Sequence, residues 1–262
     1  MDKALLVGIN TYPGAPLNGC VNDVNDMVKF IRQSCGFTLT SIKLLVNGDA
    51  TTLAILTNLQ WLVKDARPGD RLLFHYSGHG AQVPTKDRKG EVDGLDEVIC
   101  PVDFDWSDPH MIRDKQFRAI FGSLPAGVEF VWVSDSCHSG DLSKIMPKPR
   151  TLVKSMPVPT HILPDLEKAR MLPKKKTIDV PFNGALVSGC RSNQTSADAY
   201  FGRRYNGALT YFFLKELQKA PQGKLADVVL KTASALKDKG FSQVPGLEGS
   251  PMVESKAFLS KV

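Results

Sequence analysis

Apolar positions along the chain follow two periods in turn. Short apolar runs bounded by turn-forming residues predict buried strands at 4–10, 42–46, 71–76, 130–134 and 185–188. Between them, 23–34 sets Val24, Met27, Val28 and Ile31 at helical spacing, and 53–66 does the same with Ile55, Leu56, Leu59, Leu62 and Val63. Two later helices are predicted at 208–219 and 225–239. Strands alternating with helices need crossover connections, so the expected fold is α/β, with a mainly parallel central sheet flanked by helices on both faces.

Residues 142–181 break this pattern. The stretch carries Pro147, Pro149, Pro157, Pro159, Pro164, Pro173 and Pro181, and no regular core element is expected in it. Inserts of this length inside a compact domain are functional or disordered. The expected organisation is therefore one domain over 1–262, with a large part (1–141), a proline-rich and basic insert (142–182) and a small part (183–262). No internal repeat is visible.

Charge changes the picture only locally. The net charge is +6, from 33 Lys and Arg against 27 Asp and Glu. From Lys144 to Lys176 there are nine basic residues against Asp165 and Glu167, a surplus of seven, so the rest of the chain is close to neutral. Basicity confined to a proline-rich loop, without interleaved aromatics, argues against a nucleic-acid-binding module. The composition, 42% hydrophobic and 23% charged, is that of an ordinary globular protein. The opening Met1-Asp2-Lys3 and the short apolar run after it are neither a signal peptide nor a membrane span, so a soluble, cytoplasmic protein without membrane association is expected.

The five cysteines, Cys20, Cys35, Cys100, Cys137 and Cys190, are scattered and lack C-x-x-C spacing, which argues against a disulfide framework and a zinc site. A lone cysteine is ordinarily a small buried hydrophobe, so a reactive role has to come from its neighbours. Two predicted strands end in polar clusters: Ser77-Gly78-His79-Gly80, and Ser134-Asp135-Ser136-Cys137-His138-Ser139-Gly140. The carboxyl ends of strands in an open parallel sheet line the ligand crevice, so both clusters are expected at one site. A cysteine becomes a nucleophile when a nearby imidazole takes its proton or lowers its pKa, and glycines beside both residues let a substrate backbone approach.

The runs His75-Tyr76-Ser77-Gly78-His79-Gly80 and Asp135-Ser136-Cys137-His138-Ser139-Gly140 resemble the two active-site motifs of the metacaspases, caspase-like cysteine peptidases. Six further runs match in order along the chain, among them Gly19-Cys20-Val21-Asn22-Asp23, Asp93-Gly94-Leu95-Asp96-Glu97, Gln194-Thr195-Ser196-Ala197-Asp198 and Asn206-Gly207-Ala208-Leu209-Thr210. The resemblance implies a caspase-like α/β/α sandwich and peptide-bond hydrolysis through a thioester. His79 would be the base and Cys137 the nucleophile, with the N–H groups of Gly80 and Cys137 holding the oxyanion. His75 and His138 are competing imidazoles that do not fit the motif. The Q-A-C-x-G motif of ordinary caspases is absent from the sequence, and the long N-terminal prodomain of some metacaspases is not expected.

By the same resemblance, Cys20, Asp23, Ser77 and Asp135 would line the S1 pocket. Two carboxylates there imply protein or peptide substrates with Arg or Lys at P1. Taken alone, Asp23 also reads as a helix N-terminal carboxylate and Asp135 as a hydrogen-bonded strand end. Many metacaspases are calcium-activated, and an acidic stretch from Asp87 to Asp108 offers oxygen ligands; Asp93, Asp96 and Asp114 are the candidate set. Lys115 and Lys144 depart from the family pattern there by placing positive charge. No cofactor is expected for the chemistry itself. In the insert, Arg150, Lys154, Lys168, Arg170, Lys174, Lys175 and Lys176 are candidate self-cleavage sites, against the plainer reading of a solvated loop. A monomer is expected. The alternative to a peptidase is a catalytically latent caspase-like scaffold.

Overall fold

A computed structural model describes residues 1–85, 94–138, 150–171, 183–191 and 194–260. The central sheet has six strands in the order β12-β9-β7-β3-β1-β2. These are β1 (Asp2–Gly8), β2 (Ile42–Val46), β3 (Arg71–Ser77), β7 (Glu129–Asp135), β9 (Ala185–Ser188) and β12 (Gly246–Gly249). All pairings are parallel except that of β12 with β9. The helices are α1 (Cys20–Ser34), α2 (Thr52–Val63), α3 (Asp114–Phe121), α4 (Leu163–Arg170), α5 (Ala208–Lys219), α6 (Leu225–Asp238) and the short α7 (Pro251–Glu254).

The two-residue period of the strands explains the three layers. Leu5, Val7, Leu72, Phe74 and Phe130 enter one apolar cluster, together with Ile55, Leu59 and Leu62 of α2 and Phe117 and Phe121 of α3. Ala4, Leu6, Leu73, Val131 and Val133 point the other way. They join Val24, Met27 and Ile31 of α1, Leu209 and Phe213 of α5 and Val228 of α6. A strand buried on both faces reads as a continuous apolar run, which is why the period of its burial is invisible in sequence. The α/β/α sandwich expected from the alternation of elements is present. Among the described residues, no helix is long and apolar enough to cross a membrane.

Two small antiparallel sheets decorate one end. One contains β4 (Gly80–Pro84), β5 (Leu95–Ile99) and β6 (Ile112–Arg113); the other contains β8 (Thr151–Val153), β10 (Ala197–Tyr200) and β11 (Tyr205–Gly207). The pattern of apolar runs did not reveal them, because their strands are short and polar residues and glycines leave no continuous apolar run in them. The described part of the proline-rich insert is also ordered, contrary to the expectation of no regular element. β8 pairs with β10, and α4 seats Leu166 and Ala169 against Leu95 of β5 and Val158. Pro164 lies in the first turn of α4, where a missing N–H costs nothing, so the prolines bound this helix without interrupting it.

Candidate active site

β3 and β7 are neighbours, and their register sets Ser77 opposite Asp135. His79 lies just beyond the end of β3 and Cys137 just beyond the end of β7. Parallel pairing therefore brings two clusters from distant parts of the sequence to one end of the sheet. His79 Nε2 lies 2.7 Å from the carbonyl oxygen of Ala15. A carbonyl can only accept, so Nε2 carries the proton and Nδ1 holds the lone pair. Nδ1 is buried and makes no hydrogen bond among the described residues. Burial lowers the His79 pKa to about 4, with the carbonyls of Ala15 and Lys154 opposing that shift, so the ring is neutral at pH 7. Tyr12 packs on the ring at 4.6 Å between centroids, and its hydroxyl accepts from the backbone N–H of His79 at 3.1 Å.

The Cys137 thiol is buried and donates to the carbonyl of Gln194 at 2.8 Å. Cys190 Sγ donates to the same carbonyl at 3.3 Å. The two competing histidines are engaged elsewhere. His75 is buried with Nε2 at 3.3 Å from Thr210 Oγ1, and burial lowers its pKa to about 3. His138 Nδ1 donates to Val98 of β5 at 3.1 Å, and its Nε2 lies 3.9 Å from Glu97.

The chain itself lies across this site. The carbonyl oxygen of Lys154 accepts from Gly80 N at 3.1 Å and from Cys137 N at 3.0 Å. On one side of it, β8 runs antiparallel to β10, and Lys154 N donates to Ser196 O at 3.0 Å. On the other side, Met156 N donates to Gly80 O at 2.9 Å. Residues 151–156 thus form an extended, backbone-paired segment whose Lys154 carbonyl is polarised by two N–H groups. Gly80 needs its lack of a side chain here, because a Cβ would sit 2.6 Å from Cys137 O.

The side chain of Lys154 is wholly buried between carboxylates. Its Nζ lies 3.2 Å from Asp23 Oδ2, 3.2 Å from Asp135 Oδ1 and 2.8 Å from Ser77 Oγ. Asp135 also accepts from Thr210 N at 2.9 Å, Thr210 Oγ1 at 2.8 Å and Ser196 Oγ at 2.8 Å. Burial pushes the Asp135 carboxyl upward, but Lys154 and these donors outweigh it and hold the pKa below the ordinary value. Asp23 accepts from Ser77 Oγ, Asn206 Nδ2 and Gly207 N, yet burial raises it to about 6 against the pull of Lys154. Lys154 is itself pushed up, because its carboxylate neighbours outweigh burial. Cys20 is buried beside this group, its thiol raised by burial.

All four residues expected around S1, then, surround one ammonium. Sequence reasoning missed the others that shape the pocket. Ser196 and Thr210 orient Asp135, and Asp198 fixes the chain entering α1 by accepting from Asn18 N at 2.6 Å. Gly207 forms a wall: a Cβ there would collide with Lys154 Nζ and Asp135 Oδ2 and come 2.6 Å from Asp23 Oδ2. The runs containing these residues were conspicuous in the sequence, but their roles depend on pairing between distant segments.

Of the other insert residues, Arg150 lies before β8, with its guanidinium over the ring of Tyr200 at 5.1 Å. Lys168 and Arg170 lie within α4, whose backbone is helical and withheld from any extended pairing. Lys174, Lys175 and Lys176 fall outside the described residues, as does Asp93 of the candidate calcium set. The remaining calcium candidates are engaged by basic side chains, and each keeps one buried carboxylate oxygen without a hydrogen bond among the described residues. Asp96 is paired with Arg113 and, at 3.2 Å, with Lys115, and Asp114 faces Arg118 at 3.3 Å. Among the described residues, no group of three or more His, Cys, Asp or Glu side chains could hold a metal ion.

Residues 2–146 match the family described as "Metacaspase, peptidase C14 domain". Metacaspase-1 of Meyerozyma guilliermondii is 33% identical, over 95% of this chain and 69% of the relative. Metacaspase-1 of Coccidioides immitis is 35% identical, over 95% of this chain and 61% of the relative. A protein of Geobacter sulfurreducens with a known crystal structure superposes with a TM-score of 0.73 at 25% identity, covering 99% of this chain and 98% of that one. With a cysteine and an imidazole at the carboxyl end of a caspase-like sheet, and with relatives at this level of identity, the chain belongs to the metacaspase family of cysteine-type peptidases.

Proposed function

We propose that the protein is an endopeptidase cutting after Lys or Arg, with His79 as base and Cys137 as nucleophile, and that its first substrate is its own Lys154–Ser155 bond. One observation carries this reading. The Lys154 ammonium is buried between Asp23 and Asp135 while the Lys154 carbonyl accepts from Gly80 N and Cys137 N. That is the pose of a P1 residue, with its charge in an acidic pocket and its carbonyl in an oxyanion hole.

The reaction follows from the site. Cys137 turns from Gln194 O toward the Lys154 carbonyl and gives its proton to His79 Nδ1. The thiolate attacks the carbonyl carbon, and the charge that develops on oxygen is held by the two N–H groups. The C–N bond to Ser155 then breaks, its nitrogen takes the proton from His79, and water hydrolyses the thioester. The Ala15 carbonyl keeps the tautomer in which Nδ1 is the acceptor. Protein and peptide substrates would use the same path once residues 151–156 have vacated the cleft.

The latent reading has an observation of its own, since Lys154 and Cys137 are fully buried in the intact chain. It describes the precursor, which self-cleavage converts to the active form. The ion pairs of Asp96 with Arg113 and Lys115 and of Asp114 with Arg118 favour activity without added calcium over activation through these two residues. A monomer is favoured by β12, a short edge strand bounded by Gly246 and Gly249 that offers little for pairing with a second copy.

The test is hydrolysis of matched fluorogenic peptides ending in Arg, Lys or Asp, by wild type and Cys137→Ala, with calcium or EDTA. Cleavage after Arg and Lys that is lost in the variant supports the reading. Cleavage after Asp alone overturns the pocket, and no cleavage under any condition overturns the enzyme.

A further inference from the structure

The segment across the cleft continues past the scissile bond, and its primed side is bound as closely as its unprimed side. Ser155 is 5% exposed and forms a parallel bridge with Gly80. Its hydroxyl is buried and makes no hydrogen bond among the described residues. Met156 is 8% exposed, donates its N–H to Gly80 O at 2.9 Å, and joins the apolar cluster that holds Tyr12, Ala81, Val98 and Met111. Val158 then packs with Leu95, Leu166 and Ala169.

From this geometry we infer that the enzyme has a primed-side specificity site on β4: a tight S1′ that takes a small residue, and an apolar S2′ that takes methionine or a similar unbranched apolar side chain. The substrate class is therefore protein segments of the form Lys/Arg-small-apolar in extended conformation. This rests on the reading of Lys154 as a P1 residue and adds selection on the leaving side of the bond.

The physical case is desolvation together with backbone pairing. Gly80 donates to the P1 carbonyl and accepts from the P2′ N–H, so one residue of β4 anchors the substrate on both sides of the bond about to break. A substrate that pairs this way must place its P1′ and P2′ side chains where Ser155 and Met156 lie. The Ser155 hydroxyl finds no partner among the described residues there, so a larger polar group at P1′ would be buried without compensation from them. A carboxylate at P2′ would enter an apolar cluster at the same penalty. Met156 fills the S2′ region with a flexible, polarisable chain, which suits an irregular apolar pocket. Selection of this kind acts on peptide substrates and is invisible to substrates that carry a dye in place of the primed residues.

The experiment uses internally quenched peptides spanning Arg150 to Val158 and the self-processed wild-type protein. Three peptides are compared: the natural sequence, one with Leu at the Met156 position, and one with Asp at both the Ser155 and Met156 positions. A dye-releasing peptide ending at the Lys154 position serves as the control for P1 recognition alone. The natural and Leu peptides are expected to be cut after Lys with kcat/KM within a few-fold of each other, and the Asp-Asp peptide to fall by roughly tenfold or more. Equal cutting of the Asp-Asp peptide overturns the primed-side site and leaves the Lys/Arg reading intact. Failure to cut both the natural peptide and the control after Lys overturns that reading and this inference together.

The same selection should operate in the intact chain. Met156→Asp should slow appearance of the Ser155 N-terminus, read by mass spectrometry, by about the same factor as in the peptide, whereas Met156→Leu should not. Unchanged processing of the Asp variant would also overturn the inference.

Discussion

The backbone N–H of Cys137 donates at 3.0 Å to the carbonyl oxygen of Lys154, the residue whose ammonium is sealed between Asp23 and Asp135. The N–H of the proposed nucleophile thus holds the carbonyl beside it, and the same residue is anchored through its side chain. Self-cleavage should therefore have one preferred bond. In Lys154→Met the fragment beginning at Ser155 should be absent by intact mass, whereas Lys154→Arg should still yield it because a guanidinium can pair with both carboxylates. Fragments beginning after Arg150 or Lys168 in wild type, with none at Ser155, would refute this.

Gly207 bounds the pocket so closely that a single methyl group would collide with a bound ammonium. Gly207→Ala should lower kcat/KM on Lys and Arg peptides by about a hundredfold or more, since a clash removes P1 binding outright. The folded protein is expected to survive, because Gly207 caps α5 with φ −64° and ψ 132°, which alanine can adopt. Circular dichroism and peptide kinetics on one sample would separate loss of the pocket from loss of the fold.

The two acidic residues should not be equivalent. Asp135 is held ionised by Lys154, Thr210 and Ser196, whereas burial carries Asp23 up to about 6. Asp135→Asn should cost more, both in thermal stability and in cleavage after Lys, than Asp23→Asn. Breaking a buried pair by removing one partner costs about 3–5 kcal/mol. Equal melting temperatures for the two variants in a Cys137→Ala background would contradict the assignment.

Acid should weaken the fold through its buried imidazoles. His79 titrates at about 4 and His75 at about 3 in the folded chain, against 6.5 for an ordinary histidine. As pH falls below 6.5 the unfolded chain takes up protons that the folded chain refuses, so stability drops through that window, at roughly 1.4 kcal/mol per unit of difference. Asp23 works in the opposite direction between about 6 and its ordinary value, because its folded form binds the proton first. Melting temperatures of Cys137→Ala between pH 7 and pH 4.5 should fall, and fall less in Cys137→Ala/His79→Gln. Identical slopes would show that His79 is not the buried neutral ring described.

Much of the molecule was legible before any coordinates. Strands 42–46 and 185–188 and helix 208–219 lie where the periodicity put them, although 42–46, expected to be buried, is the edge strand of the sheet and none of its residues is buried. His79, Cys137 and Asp135 were legible as one cluster because glycines and polar residues interrupt apolar strands at two points, and a parallel sheet gathers its carboxyl ends; Asp23, in α1, came only through the resemblance to the metacaspases. What only the tertiary structure decided is the standing of Lys154. In sequence it is one cation among nine in a proline-rich stretch, with nothing to set it apart from Lys168 or Arg170. Its burial requires β8 to pair with β10, Gly80 to bond on both sides of the Lys154–Ser155 bond, and carboxylates from α1 and β7 to meet. Each contact joins segments distant in the chain. Local sequence encodes propensity and period, but a charge becomes a bound ligand of its own protein only when the fold supplies the counter-charges and removes the water.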